Sequence, residues 1–439
     1  MSSTLLKNVH LFDPGSGLDA KNRNIHIEEG RIVSLDASID ARVEYVLDGK
    51  GRMCLPGLID LRAHFCEPGG TRRETIESGC KAAAKGGYTT VLIMPTTEPT
   101  VDRIELVELI HSKAREAGTT RVLPVGAVSV GRKGERLSEM AKLTAAGCAA
   151  FSDGDRTITD SQLLRYALET AAELGTLIIS HPSDKHLALG GMMHEGVVST
   201  RLGLTGIPSA AEVVGVSRDI AIAAMTGSRL HLGHVSTAES VDLIRQAKDR
   251  GVLVTAKVSP LHLALSDEAV LGYDTQAKLF PPLRPQTDVG ALIRGLADGT
   301  LDAVATDHLP QNGLDKNTEF DRAEAGAIGL ESSLGIILGL VADGHLTLER
   351  AISSMTRGPA QVLGREDLGR LKAGGWADLV LVSPDERRLF SQEDIASKSR
   401  NSPWLGRELV GRVILTMAAG EITYQHDEKR VSAAGVGAE

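Results

Sequence analysis

Eight short apolar runs, each closing in polar residues, constrain this chain more than any other feature. They occupy residues 54–64, 89–95, 121–130, 148–154, 175–182, 228–236, 251–259 and 301–308. The stretches between them read as helices; 74–85 and 209–225 carry apolar residues at helical spacing. Eight strands alternating with helices favour a closed (β/α)8 TIM barrel over an open sheet. Fully buried parallel strands should be near-continuously apolar, and Val91-Leu92-Ile93-Met94 is.

The flanks follow another pattern. Asn24-Ile25-His26-Ile27-Glu28-Glu29-Gly30-Arg31-Ile32-Val33 and Ala377-Asp378-Leu379-Val380-Leu381-Val382 are short β-like runs broken by turns. They read as one small β-sandwich domain built from both chain ends, residues 1–54 with 363–439, around an α/β barrel of residues 55–362. The segment after Gln425 reads as a solvated tail. With 439 residues there is room for one large domain and a smaller one. The net charge of −9 argues against nucleic acid or an anionic membrane as partner. The first residues lack a signal-peptide pattern, and no apolar stretch approaches the roughly 20 residues that span a bilayer. Cys54, Cys66, Cys80 and Cys148 form no CxxC pair, so reduced thiols in a cytoplasmic protein are the simplest expectation.

In such barrels the chemistry sits at the C-terminal ends of the strands. Here those ends carry His64, Asp153, His181, His234 and Asp307-His308. A lone histidine or aspartate there is usually structural or a helix cap. Their joint convergence on one mouth makes a metal site the sharper hypothesis. The first run, however, ends Asp60-Leu61-Arg62-Ala63-His64. Alternate strand residues share a face, so a His-x-His pair there could grip one ion. Arg62 holds the first of those places, and a guanidinium has no lone pair to give a metal.

Leu55-Pro56-Gly57-Leu58-Ile59-Asp60, Glu67-Pro68-Gly69, Glu74-Thr75-Ile76-Glu77-Ser78-Gly79, His234-Val235-Ser236-Thr237, Pro281-Pro282-Leu283-Arg284 and Ala305-Thr306-Asp307-His308 together identify a resemblance. The chain resembles the dihydroorotases of the amidohydrolase superfamily along nearly its whole length. The resemblance implies a zinc centre with ligands from His-x-His, a bridging carboxylate, two later histidines and a final aspartate. By position, His64, Asp153, His181, His234 and Asp307 remain. Phe151-Ser152-Asp153-Gly154-Asp155 stands where the family has Phe-Ser-Asp-Asp-Gly, which loosens the assignment of Asp153.

The family's substrate-binding positions are all substituted. Cys66 replaces the arginine that clamps the substrate carboxylate, Thr96 an asparagine, Phe280 an asparagine and Gln311 a histidine. A thiol cannot reproduce a bidentate Arg–carboxylate pair. Losing one partner of a desolvated charge pair costs about 2–5 kcal/mol of binding. If Arg62 points inward, its charge would stand where the metal stood and pair with Asp153, Asp307 or both. If it points outward, a lone metal on Asp153, His181 and His234 would still be served by three ligands.

Three functions compete. One is a pseudo-enzyme, a dihydroorotase-like protein of pyrimidine biosynthesis without dihydroorotase activity, supporting aspartate transcarbamoylase as a structural partner, with zinc as the cofactor if there is any. Another is an active zinc-dependent dihydroorotase or related cyclic amidohydrolase, with Asp307 as catalytic acid/base. The third is a binding protein that uses the altered mouth for another small molecule. The family resemblance also implies a homo-oligomer. Weaker signals read as structural: the charged loop 131–136 as a solvated turn, His262 and Asp267 as loop or cap residues, and Gly190-Gly191-Met192-Met193 as a mobile structural segment. Cys66 reads as a passive replacement rather than a reactive thiol.

Overall fold

The computed structural model describes residues 3–35 and 43–426. The expected tail lies outside them beyond His426. Each of the eight apolar runs contains one strand of a parallel barrel: Leu58–Ala63, Tyr88–Ile93, Arg121–Gly126, Ala150–Phe151, Ile178–Ser180, Leu230–Leu232, Val254–Val258 and Ala303–Val304. Neighbours in the chain are neighbours in the sheet. The ring closes where Ala63 bridges His308 and the His64 N–H donates to the His308 carbonyl at 2.8 Å. All six residues of each of the first two strands are buried, as strands covered on both faces should be. The helical patterns at 74–85 and 209–225 form Ile76–Lys85 and Ala210–Thr226. The former starts cleanly because the Thr75 hydroxyl accepts the Ser78 N–H at 3.1 Å.

The first apolar run differs from expectation, because it is two strands rather than one. Met53–Pro56 belongs to a second sheet and Leu58–Ala63 to the barrel. Gly57 makes the crossing. A Cβ there would lie 2.2 Å from the Thr89 hydroxyl, so only glycine lets the two segments pass.

The second sheet joins the two ends of the chain. Ser3–Asp13, Leu18–Glu28, Arg31–Ser34, Tyr45–Asp48 and Met53–Pro56 meet Leu379–Leu389, Glu408–Ala418 and Glu421–Gln425 in one hydrogen-bonded sheet. Register shifts along its long strands let it bend over a core of its own, with Leu6, Leu11, Ile25, Leu379, Leu381 and Leu415 at the centre. It is fastened to the barrel by an Arg121–Asp378 ion pair at 2.5 Å and by the Thr416 hydroxyl, which donates to the Ala84 carbonyl at 2.7 Å. The helix Ser333–Ala342 packs on the same sheet. Burying Leu334, Ile336, Ile337 and Leu338 there contributes about 2 kcal/mol each. Met193–His194 pairs with Gly206–Ile207, and Met193 is buried, so that segment is structural. Among the described residues no helix is long and apolar enough to cross a membrane.

Candidate active site

Asp60, Arg62 and His64 alternate along the first strand and so share its inward face. Arg62 points into the mouth. It is 2% exposed, its Nε donates to Asp307 Oδ1 at 3.0 Å, and its Nη1 donates to the Gly154 carbonyl at 3.1 Å. His234 Nδ1 lies 3.1 Å from the other oxygen, Asp307 Oδ2. His234 and Asp307 hold φ of +57° and +53°, a left-handed conformation that costs roughly 1–2 kcal/mol per residue. The contacts of the two side chains with each other, and of Asp307 with Arg62, hold the backbone there.

The charge balance follows from that geometry. Burial alone would raise the Asp307 pKa. The neighbouring His234 and Arg62 outweigh it and hold the carboxyl far below the usual carboxylate range. The imidazoles move the opposite way from free histidine: burial, then the Arg62 charge, pushes His64 down to about 3 and His181 down to about 4. The same two causes lower His234 further. All three are neutral at neutral pH. His64 Nδ1 sits 2.6 Å from the Thr96 hydroxyl. His64 Nε2, His234 Nε2 and both nitrogens of His181 are buried and have no hydrogen-bond partner among the described residues. Phe280 lies over His181 at 5.1 Å between ring centroids.

Asp153 takes no part in the Arg62 pair. Its oxygens accept the Ser129 N–H at 3.0 Å and the Ser129 hydroxyl. Arg132 corrects the reading of 131–136 as a solvated turn. Gly131 bends the loop at φ +61°, and the buried Arg132 guanidinium turns inward, where Nε donates to the Asp153 carbonyl at 2.9 Å and the fork pairs with Asp155. Lys257, unflagged by sequence reasoning, is buried on the seventh strand with Nζ 3.4 Å from the Leu61 carbonyl. Burial, then Arg62, lowers its pKa to about 7. A lysine inside an apolar run was the signal that could have found it.

The substituted positions are spread around this centre. Thr96 and Phe280 touch His64 and His181 as described. The Gln311 side chain turns to the Ala325 carbonyl at 2.7 Å, while its N–H is held by Asn401. Cys66 Sγ lies 3.7 Å from the His64 carbonyl, and burial pushes its thiol up to about 12, which leaves it protonated and unreactive near neutrality. His262 lies not in a loop but on the short helix Pro260–Ala264, bonded to Ser259 and to the Pro281 carbonyl, and Asp267 opens the 3-10 turn Asp267–Val270, its N–H donating to the Arg284 carbonyl.

As arranged, these residues do not fit a metal ion. Both oxygens of Asp307 and both of Asp153 are engaged, and a guanidinium stands among the imidazoles. Among the described residues no three His, Cys, Asp or Glu side chains stand together as a ligand group. A divalent cation there would meet the Arg62 charge at close range.

Other buried carboxylates near the mouth are served differently. Asp60 accepts the Thr306 N–H at 2.9 Å and its hydroxyl at 2.5 Å. Glu212 accepts the backbone N–H groups of Ser236 and Thr237 at 2.9 and 3.0 Å, together with both hydroxyls. Arg284 donates to the Ser236 hydroxyl at 3.0 Å. Glu74 takes the Ser78 hydroxyl and the Lys398 N–H and faces His308 at 3.5 Å.

A family model described as dihydro-orotase-like matches residues 51–240. The dihydroorotase of Pelotomaculum thermopropionicum is 46% identical over 422 residues, 96% of this chain and 98% of that protein. The dihydroorotase of Anaeromyxobacter dehalogenans (strain 2CP-C) is 44% identical over 429 residues, 97% of this chain and 99% of its own. Among solved structures, the L-hydantoinase (dihydropyrimidinase) from Arthrobacter aurescens superposes with a TM-score of 0.86 at 24% identity, covering 97% of this chain and 96% of that one. A D-hydantoinase from Thermus sp. gives 0.82 at 23%, covering 96% and 95%. These two likenesses are likenesses of fold.

Proposed function

The chain belongs to the dihydroorotase-like family, and from that premise we propose a dihydroorotase-like protein of pyrimidine biosynthesis whose mouth no longer opens or closes the dihydroorotate ring. The observation that carries this reading is the Arg62–Asp307 pair at 3.0 Å. A general acid/base must exchange a proton near the working pH. Asp307 is held ionised far below that range by His234 and Arg62, and its two oxygens are already taken. The protonated thiol of Cys66 offers no charge to a substrate carboxylate, and Phe280 covers one face of His181. The structural role beside aspartate transcarbamoylase rests on the family resemblance.

A second reading is an active dihydroorotase or related zinc-dependent cyclic amidohydrolase. It is favoured by the name that both relatives carry and by identity of 44–46% along almost the whole chain. Two measurements on the purified protein separate the readings. Metal analysis together with an assay of N-carbamoyl-L-aspartate cyclisation should give substoichiometric zinc and no turnover above background. Stoichiometric zinc with turnover would establish the second reading instead. Co-elution with aspartate transcarbamoylase on size exclusion is the expected sign of the partnership, and separate elution removes it.

A further inference from the structure

A cavity of about 480 Å³ opens among the loops that follow the third, fourth and fifth barrel strands, with Phe280, which packs against His181, in its wall. Its wall carries four cations, Arg132, Lys133, Arg156 and Lys185, against two carboxylates, Glu135 and Asp155. In a chain with 57 acidic and 48 basic residues, an unselected patch would lean the other way. Asp155 is already spent on Arg132, and among the described residues no carboxylate forms an ion pair with Lys133, Arg156 or Lys185. The Arg132 guanidinium is itself nine-tenths buried and is held by the Asp153 carbonyl. The hydroxyls of Ser183 and Thr159 and the ring of Phe280 complete the wall.

We propose that this cavity binds a small organic anion whose carboxylate or phosphate is met by Arg156, Lys185 and Lys133 and whose ring or chain lies on Phe280. Guanidinium and ammonium groups without carboxylate partners are matched to anionic oxygens. Partial enclosure strengthens the attraction over that at an open surface. The aromatic wall rewards an apolar body as well as a charge. The site needs neither Arg62 nor a metal, so it stands whether or not the mouth hydrolyses a cyclic amide.

Isothermal titration of the full chain with phenyl phosphate and with inorganic phosphate, ionic strength held constant with chloride, tests the proposal. Phenyl phosphate should saturate one site per chain and bind several-fold more tightly than inorganic phosphate. Arg156→Ala combined with Lys185→Ala should weaken both about tenfold, the scale of two partly exposed charge contacts. Lys133→Ala alone should weaken them less, and Lys81→Ala, on the exposed face of the helix Ile76–Lys85, should leave them unchanged. Phe280→Ala should erase the advantage of phenyl phosphate. Binding no stronger than that of chloride, or a double variant that binds like the original chain, overturns the proposal.

Discussion

Glu212, buried, and Asp307, half-buried, are carboxylates at the same end of one barrel, yet they are stabilised in opposite ways. Glu212 is wrapped by backbone N–H groups and hydroxyls, neutral donors fixed by the chain itself. Asp307 is met by a cation and an imidazole. The Glu212 arrangement shapes the strand ends whatever chemistry goes on beside it. The Asp307 arrangement depends on two side chains, Arg62 and His234, and changes with either of them. Scaffold and chemistry therefore rest on separate sets of residues in this barrel.

The contrast can be broken most forcefully at Glu212. Replacing it by alanine strips the acceptor from Ser236 and Thr237 and leaves Arg284 short of its counter-charge, 3.9 Å away. A loss of about 3–5 kcal/mol is expected in urea denaturation. A smaller loss than that of Arg62→Ala would mean that the Arg62–Asp307 pair, not the Glu212 network, holds the barrel.

Arg62→Ala should cost about 2–4 kcal/mol in the same measurement, because it leaves the half-buried Asp307 with His234 alone. Arg62→His tests the chemistry rather than the stability, since it restores the His-x-His pattern with His64. Zinc uptake by that variant but not by the original chain, read by metal analysis, is the expected result.

Acid supplies the finest comparison. His64 and His181 have folded pKa values lowered to about 3 and about 4, whereas free imidazole titrates near 6.5. Below about pH 6.5 the unfolded chain therefore binds protons that the folded chain refuses. Stability should fall as pH drops from about 6.5 toward 4, by up to about 1.4 kcal/mol per pH unit for each imidazole. Asp307 adds its own loss only lower down, near pH 4 and below, where an unfolded aspartate becomes protonated while the folded one stays ionised. A flat profile between pH 6.5 and 4.5 would show that these imidazoles are not held neutral. A shallower slope in Arg62→Ala would assign part of the effect to the guanidinium.

The barrel was legible because its strands are buried on both faces, which writes them as short, mostly apolar runs. Gly57 was not legible as a boundary, since the strand it ends and the strand it begins are equally apolar and belong to different sheets. Arg62 could be recognised as an anomaly, but its choice of Asp307 over Asp153 depends on Ser129, which satisfies Asp153 from another loop. Arg132 was misread for a related reason. Six residues rich in charge and glycine look solvated in one dimension, and only the turn at Gly131 sends one of them inward.

The sheet that joins the chain ends carries a consequence for synthesis. Leu55 pairs with Val380 and Cys54 with Leu381, so one edge of the N-terminal strands waits for a partner more than 300 residues downstream. Contacts of such long range slow folding and leave strand edges open meanwhile. On the ribosome, the barrel's last strand emerges before that partner does. The strands that precede the barrel in the chain are thus finished only after it, and an interrupted chain would display an unpaired β-edge for quality control to find.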